Sequence, residues 1–237
     1  MSTLMGRGAL ILWLDVAPGL DRETDAWYVD EHLPERIDIG GYQRARRFVA
    51  LEGAPSYLTL FETYTPAALA SEGYLRLVKC ISEQSRRIRR NFSNVVRNAF
   101  AVRQSRGRGI GGTMASLRLK VRAGAKREAA VAKIDAEVRH LIRRHGIVGV
   151  HWLEAAPEVR ARMDAVREVG QGDGRADFAL LIEATRPAEI AALRRDALSP
   201  GVLARMGWDE QAYGVYSLMY EVSPMVDGVD CKLGDRV

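Results

Sequence analysis

Two cysteines in 237 residues, at positions 80 and 231, are too few and too widely spaced for a disulfide framework or a zinc site. A reducing, cytoplasmic compartment is the expected setting. Long hydrophobic runs are also missing. The longest, 9–14, falls far short of the ~20 residues that a bilayer-spanning helix needs. It follows one arginine and runs into Asp15 and Pro18 instead of a small-residue cleavage site, so neither a secretory leader nor a membrane partner is expected. Histidine is scarce as well. His140 and His145 stand five apart and do not share a helical face, so no metal site is expected.

What remains is ordinary for a globular chain: 47% apolar and 27% charged residues, in a length that suits two units of roughly 100 residues or one larger one, either with a real core. The net charge of +5 is uneven. Between Glu83 and Gly112 the arginines 86, 87, 89, 90, 97, 103, 106 and 108 face one acid, a local +7, and the rest sums to −2. Phosphate binding is one reading of that run. It lacks the interleaved aromatic platform and the docking motif of nucleic-acid readers, so a solvated helix end plus basic linker is expected, and nucleic acid is not the expected partner.

A short apolar run over 9–16, closed by Pro18-Gly19, predicts a first strand. Asp21 is placed to cap the helix that follows, with Ala26, Val29 and Leu33 as its buried stripe, and Pro34 ends or kinks it. Strands over 42–51 and 57–64 flank a Gly-Ala-Pro loop. Pro66 opens a second helix through Val78, and a strand over 94–102 completes the order βαββαβ. The segment 106–113 satisfies G-x-G-x-x-G through Gly107, Gly109 and Gly112. It precedes an alternating strand instead of a helix, so it reads as a linker. The second half repeats the order: strand 114–121, helix 126–145, strands 147–154 and 177–184, helix 187–206, strand 213–222.

Two internal echoes point to a duplication. His32, Leu33, Arg36, Ile39 and Gly41 match His140, Leu141, Arg144, Ile147 and Gly149 at an offset of 108. Leu60, Glu62, Pro66 and Ala70 match Leu181, Glu183, Pro187 and Ala191 at an offset of 121. One insertion, the charged excursion over 157–175, accounts for the difference. The predicted fold is therefore α+β: two ferredoxin-like βαββαβ repeats, 1–105 and 114–223, whose antiparallel sheets pack as an intrachain α/β barrel, followed by a tail over 224–237.

The run Trp27-Tyr28-Val29-Asp30-Glu31-His32-Leu33-Pro34-Glu35-Arg36, followed by G-Y-x-R-x-R-R-F over 41–48, resembles the dimeric α/β-barrel superfamily and within it the EthD-like members. The resemblance implies a small-molecule pocket between sheet and helices with a helix-borne histidine at its mouth, and it admits a homodimer. Isomerases, cyclases, cofactor-free oxygenases and haem enzymes share this fold, so the fold alone constrains the reaction weakly. No cofactor is expected. Gly170 to Gly174 fits the G-x-x-D-G of dye-decolorizing haem peroxidases, but in a loop whose composition makes such matches cheap.

His32 is the candidate acid or base, since an imidazole titrates near neutrality. Tyr28 would stabilise a developing oxyanion, Glu31 would orient the imidazole, Trp13 and Trp27 would wall an aromatic ligand, and Arg46 or Arg47 would hold an acidic group. A histidine making only a structural hydrogen bond near Pro34 is the competing reading, and with it a non-catalytic ligand-binding or stress-responsive protein. The second half keeps His140 but has Ala136 where the first has Tyr28, and is expected to be a structural copy. Glu62 and Glu183 are expected in capping or salt-bridge roles, and His151 in packing.

Overall fold

Eight strands close into one antiparallel barrel in a computed structural model that describes residues 4–167 and 172–224. The predicted tail beyond Pro224 lies outside the described residues, as do Cys231 and the first two positions of the G-x-x-D-G motif. The first half runs β1 (Gly8–Val16), α1 (Asp21–Trp27), a wide turn (Tyr28–His32), α2 (Pro34–Asp38), β2 (Tyr42–Gly53) and β3 (Tyr57–Thr63). A 3₁₀ turn (Pro66–Ala70), α3 (Glu72–Lys79), α4 (Glu83–Arg89) and β4 (Phe92–Gly107) complete it. The second half runs β5 (Thr113–Val121), α5 (Arg127–Leu141), β6 (Ile147–Ala155), α6 (Pro157–Asp164), β7 (Phe178–Ala184), α7 (Pro187–Arg195), α8 (Pro200–Met206) and β8 (Trp208–Val222).

The halves are joined edge to edge as well as face to face. Around the barrel the order is β1-β3-β2-β8-β5-β7-β6-β4. The long strands β4 and β8 make both seams. β4 pairs with β1 from Phe92 to Ala101 and with β6 from Phe100 to Gly107. β8 pairs with β5 from Trp208 to Ser217 and with β2 from Gly214 to Val222. Each half thus supplies the partner for the other's open edge, and closure leaves no exposed strand edge in the barrel.

Strand alternation then sorts side chains into three cores. Inside the barrel lie Ile11, Trp13, Phe48, Leu60, Phe100, Met114, Leu181 and Tyr216, drawn from both halves. Under the first-half helices lie Leu10, Trp27, Tyr28, Phe61 and Tyr74. Under the second-half helices, Trp152 stacks on Phe178 and Trp208 meets both edge-on, all at about 5 Å, among aliphatic residues.

Several local expectations need correction. Asp21 does not cap α1; Leu20 occupies that position without a side-chain bond, and Asp21 accepts the Tyr57 hydroxyl at 2.6 Å. The predicted stripe is displaced. Leu33 is buried, but Ala26 and Val29 are exposed, while Thr24, Trp27, Tyr28 and His32 are buried in their place. Burying the large aromatic rings removes more apolar area from water than burying alanine and valine.

Helix 66–78 is two pieces, with Ser71 accepting the Tyr74 N–H as the cap of α3. The arginine-rich stretch after it contains α4, capped by Ser82. Pro200, lacking an N–H, starts α8 and breaks the single helix expected over 187–206. The linker is shorter than predicted because β4 continues to Gly107. That glycine has φ +125°, and a Cβ there would lie 2.0 Å from the Val148 carbonyl oxygen.

The barrel interior carries a buried charge chain. Arg46 donates through Nε to Glu62 at 3.0 Å and through Nη1 to both Glu183 oxygens at 3.0 Å. Glu62 also accepts from Arg44 at 2.8 and 2.9 Å and from the Met5 N–H at 3.0 Å. Glu183 meets His151 Nε2 at 2.9 Å and accepts the Gly111 N–H at 2.8 Å, and His151 Nδ1 meets the Ser105 hydroxyl at 2.7 Å. Glu62 and Glu183 therefore have salt-bridge roles. Burial opposes ionisation of Glu183, but the His151 bond and Arg46 hold its carboxyl at about 2.

Replacing Arg46 with Met leaves two carboxylates buried together. Urea unfolding is expected to show a loss of about 3–5 kcal/mol; a loss below about 1 kcal/mol would contradict the role given to this pair. The acid limb offers a second check. Because Glu183 titrates below its ordinary 4.5 when folded, its contribution is fully present above that value and is lost as pH falls towards 2. Thermal melts of Glu183→Gln across this window should lack that part of the acid destabilisation.

Candidate active site

Pro34 shapes the site. It has no N–H, and its ring crowds the preceding turn, so the helix widens: the Leu33 N–H reaches back five residues to the Tyr28 carbonyl at 3.0 Å. The widened turn holds Trp27, Tyr28 and His32 in the core beneath the first-half helices, against Leu10 of β1 and Phe61 of β3. The Trp27 ring lies 4.1 Å from the His32 ring at 32°, and the Tyr28 ring lies 4.9 Å from it, edge-on. Phe61 closes the far side at 6.1 Å.

These rings border a cavity of about 230 Å³. Leu10, Leu12 and Leu14 of β1 form its apolar floor, and Tyr74, Val78 and Phe92 add to the walls. Charged groups also line it: four guanidinium groups (Arg36, Arg89, Arg97 and Arg167) and one carboxylate, Asp173. Arg167 and Asp173 come from the second half. The excursion that separates the two echo offsets folds partly as α6, packs Met163 into the first-half core, and lines the first-half cavity with Arg167 and Asp173. Asp173 binds Arg97 at 3.2 Å and Arg167 at 3.1 Å, while Asp164 pairs with Arg97 and Arg160.

His32 is 4% exposed, and its Nδ1 has no hydrogen-bond partner. The nearest acid is Glu35, 3.6 Å away and beyond hydrogen-bond reach. Burial above all, and then the charges of Arg36, Arg89, Arg47 and Arg167, hold its pKa well below the ordinary 6.5. The imidazole is therefore neutral at physiological pH. The Tyr28 hydroxyl is also buried without a partner.

Other predicted site residues are elsewhere. Glu31 does not orient His32; it accepts from Ser82 at 2.6 Å and from Ser85 of α4 at 2.8 Å. Burial works against its ionisation, yet those hydroxyls hold its pKa below the usual value. Trp13 points into the barrel and donates to Ser116 at 3.0 Å, so it cannot wall this cavity. Arg46 is committed to Glu62 and Glu183. Arg47 faces the helices but is bound to Asp25 at 2.9 Å and stacked between Tyr28 and Tyr57, at 3.8 and 4.3 Å. Neither arginine lines the cavity.

The arginine-rich run is dispersed by folding. Arg86, Arg87 and Arg90 are exposed on and just after α4, Arg103 pairs with Glu154 and Asp135, and only Arg89 and Arg97 of the run reach the cavity. His140, the second-half echo of His32, is exposed, and the matching layer is filled by the Trp152 cluster. Among the described residues, no group of three or more His, Cys, Asp or Glu could hold a metal ion, and no helix is long and apolar enough to cross a membrane.

No protein-family model and no curated protein matches this sequence. Solved structures do share its fold. An anthrone oxidase-like protein aligns with a TM-score of 0.60 at 11% identity, over 94% of this chain and 95% of the other. A candidate monooxygenase from Fusobacterium nucleatum subsp. nucleatum aligns at 0.55 with 7% identity, over 93% and 96%. A heme-binding protein from Thermus thermophilus aligns at 0.53 with 12% identity, over 90% and 91%. The cavity bounded by the described residues is below the ~300–1,000 Å³ usual for drug-sized ligands. At these identities the likeness is one of fold: the chain has the fold of the dimeric α/β-barrel superfamily, closed within a single polypeptide.

Proposed function

We propose that the first-half cavity binds a small aromatic ketone or phenol and that His32 takes its acidic proton. The observation that carries this reading is a neutral imidazole with a free ring nitrogen, buried against indole and phenol rings in the wall of a cavity. A neutral imidazole can accept a proton at once, with no prior deprotonation. The proton leaves a carbon beside a carbonyl, the electron pair moves onto the carbonyl oxygen, and the unpartnered Tyr28 hydroxyl donates to that oxygen. Returning the proton to another carbon makes an isomerase; attack of the enolate carbon on a second carbonyl of the same molecule, with the proton passing to the new alkoxide, makes a cyclase; passing the electrons to dioxygen makes a cofactor-free oxygenase. Anthrone, the molecule in one neighbour's name, is a ketone of this acidic kind.

The same reading treats the chain as a tandem duplication, 1–105 and 114–223, in which the second copy has given up its cavity for packing. The alternative is a binding protein without turnover, favoured because no described acid is hydrogen-bonded to the imidazole Nδ1. A homodimer is compatible with either.

Deuterium exchange at the acidic carbon of 2-tetralone, followed under nitrogen, separates the two. The native protein is expected to accelerate exchange, and His32→Gln to lose about 100-fold or more while binding within about threefold of native. Equal exchange rates in the two proteins would sink the assignment. Stability gives an independent reading. Because the His32 pKa is depressed on folding, the unfolded chain binds a proton first as pH falls below 6.5. The native protein should then lose up to about 1.4 kcal/mol per pH unit relative to His32→Gln.

A further inference from the structure

Arg89 ends α4 with its guanidinium facing the cavity, 5.8 Å over the Trp27 ring that stacks on His32. It makes no hydrogen bond or ion pair with any described residue, unlike Arg36, Arg97 and Arg167, which are held by Glu35, Asp164 and Asp173. Glu31 feels its charge from a distance, but that carboxylate is bonded to Ser82 and Ser85 instead. A second donor is spare: Nη1 of Arg97 is buried and has no partner. Arg89 is half-buried, and a guanidinium partly withdrawn from solvent is ordinarily paired, because desolvating a charge without a counter-charge is costly.

We propose that the ligand of this cavity carries an acidic group, a carboxylate or an ionised phenol, that pairs with Arg89. This rests on the cavity's being a ligand site, as proposed above, and it names the class of ligand. The electrostatics agree. Burial, Arg36 and Arg167 together push the Arg89 pKa down to about 10, against a smaller opposing influence of the Tyr74 and Tyr28 phenols. Arg89 also helps to hold His32 neutral. An anion seated on Arg89 offsets that field and makes His32 a stronger base when substrate is present. The acidic group would therefore both fix the ring beside His32 and prepare the base.

Titration with 1-hydroxy-2-naphthoate and its neutral amide, by quenching of tryptophan fluorescence, tests this. The native protein is expected to bind the acid about tenfold or more tightly than the amide. Arg89→Gln should abolish that preference while leaving amide binding unchanged and the thermal melt no lower than native, since it removes an unpaired charge, and Arg89→Lys should keep part of the preference. In the native protein, the His32 ring should titrate at higher pH with the acid bound than with the amide, read by NMR. Equal affinity for acid and amide, or a preference that survives in Arg89→Gln, would overturn the proposal. If 2-tetralone exchange still depends on His32 in that case, only the anionic class fails. If neither naphthalene binds and exchange is absent, the ligand site itself fails with it.

Discussion

Arg46 sits where the two halves meet, and the barrel is organised around its bond to a glutamate from each. Glu62 stands on β3 and Glu183 on β7, at positions matched by the internal echo. Neither carboxylate could stay ionised alone in a core of Ile11, Phe48 and Leu181. One guanidinium serves both, and Arg44, His151, Ser105 and two backbone N–H groups extend the chain of bonds. A buried charge chain of this kind adds little net stability over an apolar core of equal volume, but it is strict about geometry. It favours one register of the two sheets.

With the interior filled and bonded, the cavity beside His32 lies in an outer layer. There the halves differ. The second-half layer is packed by a cluster of three aromatic residues, whereas the first has a wide turn that swings Trp27, Tyr28 and His32 inward and leaves space beside them. The excursion after β6 then crosses over to the first half and supplies Arg167 and Asp173. The second half thus contributes to the cavity through its insertion, while its own histidine, His140, stays in solvent.

Much of this was legible in sequence. Strand positions followed from alternating and apolar runs, whereas the helices were less legible: α4 and α6 fall where a turn and an excursion are expected, and the helices over 66–78 and 187–206 are each broken in two. The correspondence of Glu62 and Glu183 was also visible, because an offset repeated over several residues is insensitive to what surrounds them. His32 stood out by its neighbours. Periodicity misjudged its helix, however, because Ala26 and Val29 fit a helical stripe as well as Trp27 and Tyr28 do, and only contact with the sheet chooses between them. The roles given to Trp13 and Arg46 failed for a related reason. Alternation says that neighbours on a strand face opposite ways, but not which way is the barrel interior.

Local sequence specified the order of the strands, the break in the helix at Pro34 and the cluster of rings around His32, since these depend on local sterics and on residues near one another in the chain. Folding selects which arginines face the cavity. Eight arginines crowded between Glu83 and Gly112 read as one patch, yet folding turns only Arg89 and Arg97 of them into the cavity. It also brought Arg167 and Asp173 into the same cavity as His32 from the far half of the chain. Such long-range pairing is set by how the barrel closes, and no local pattern encodes it.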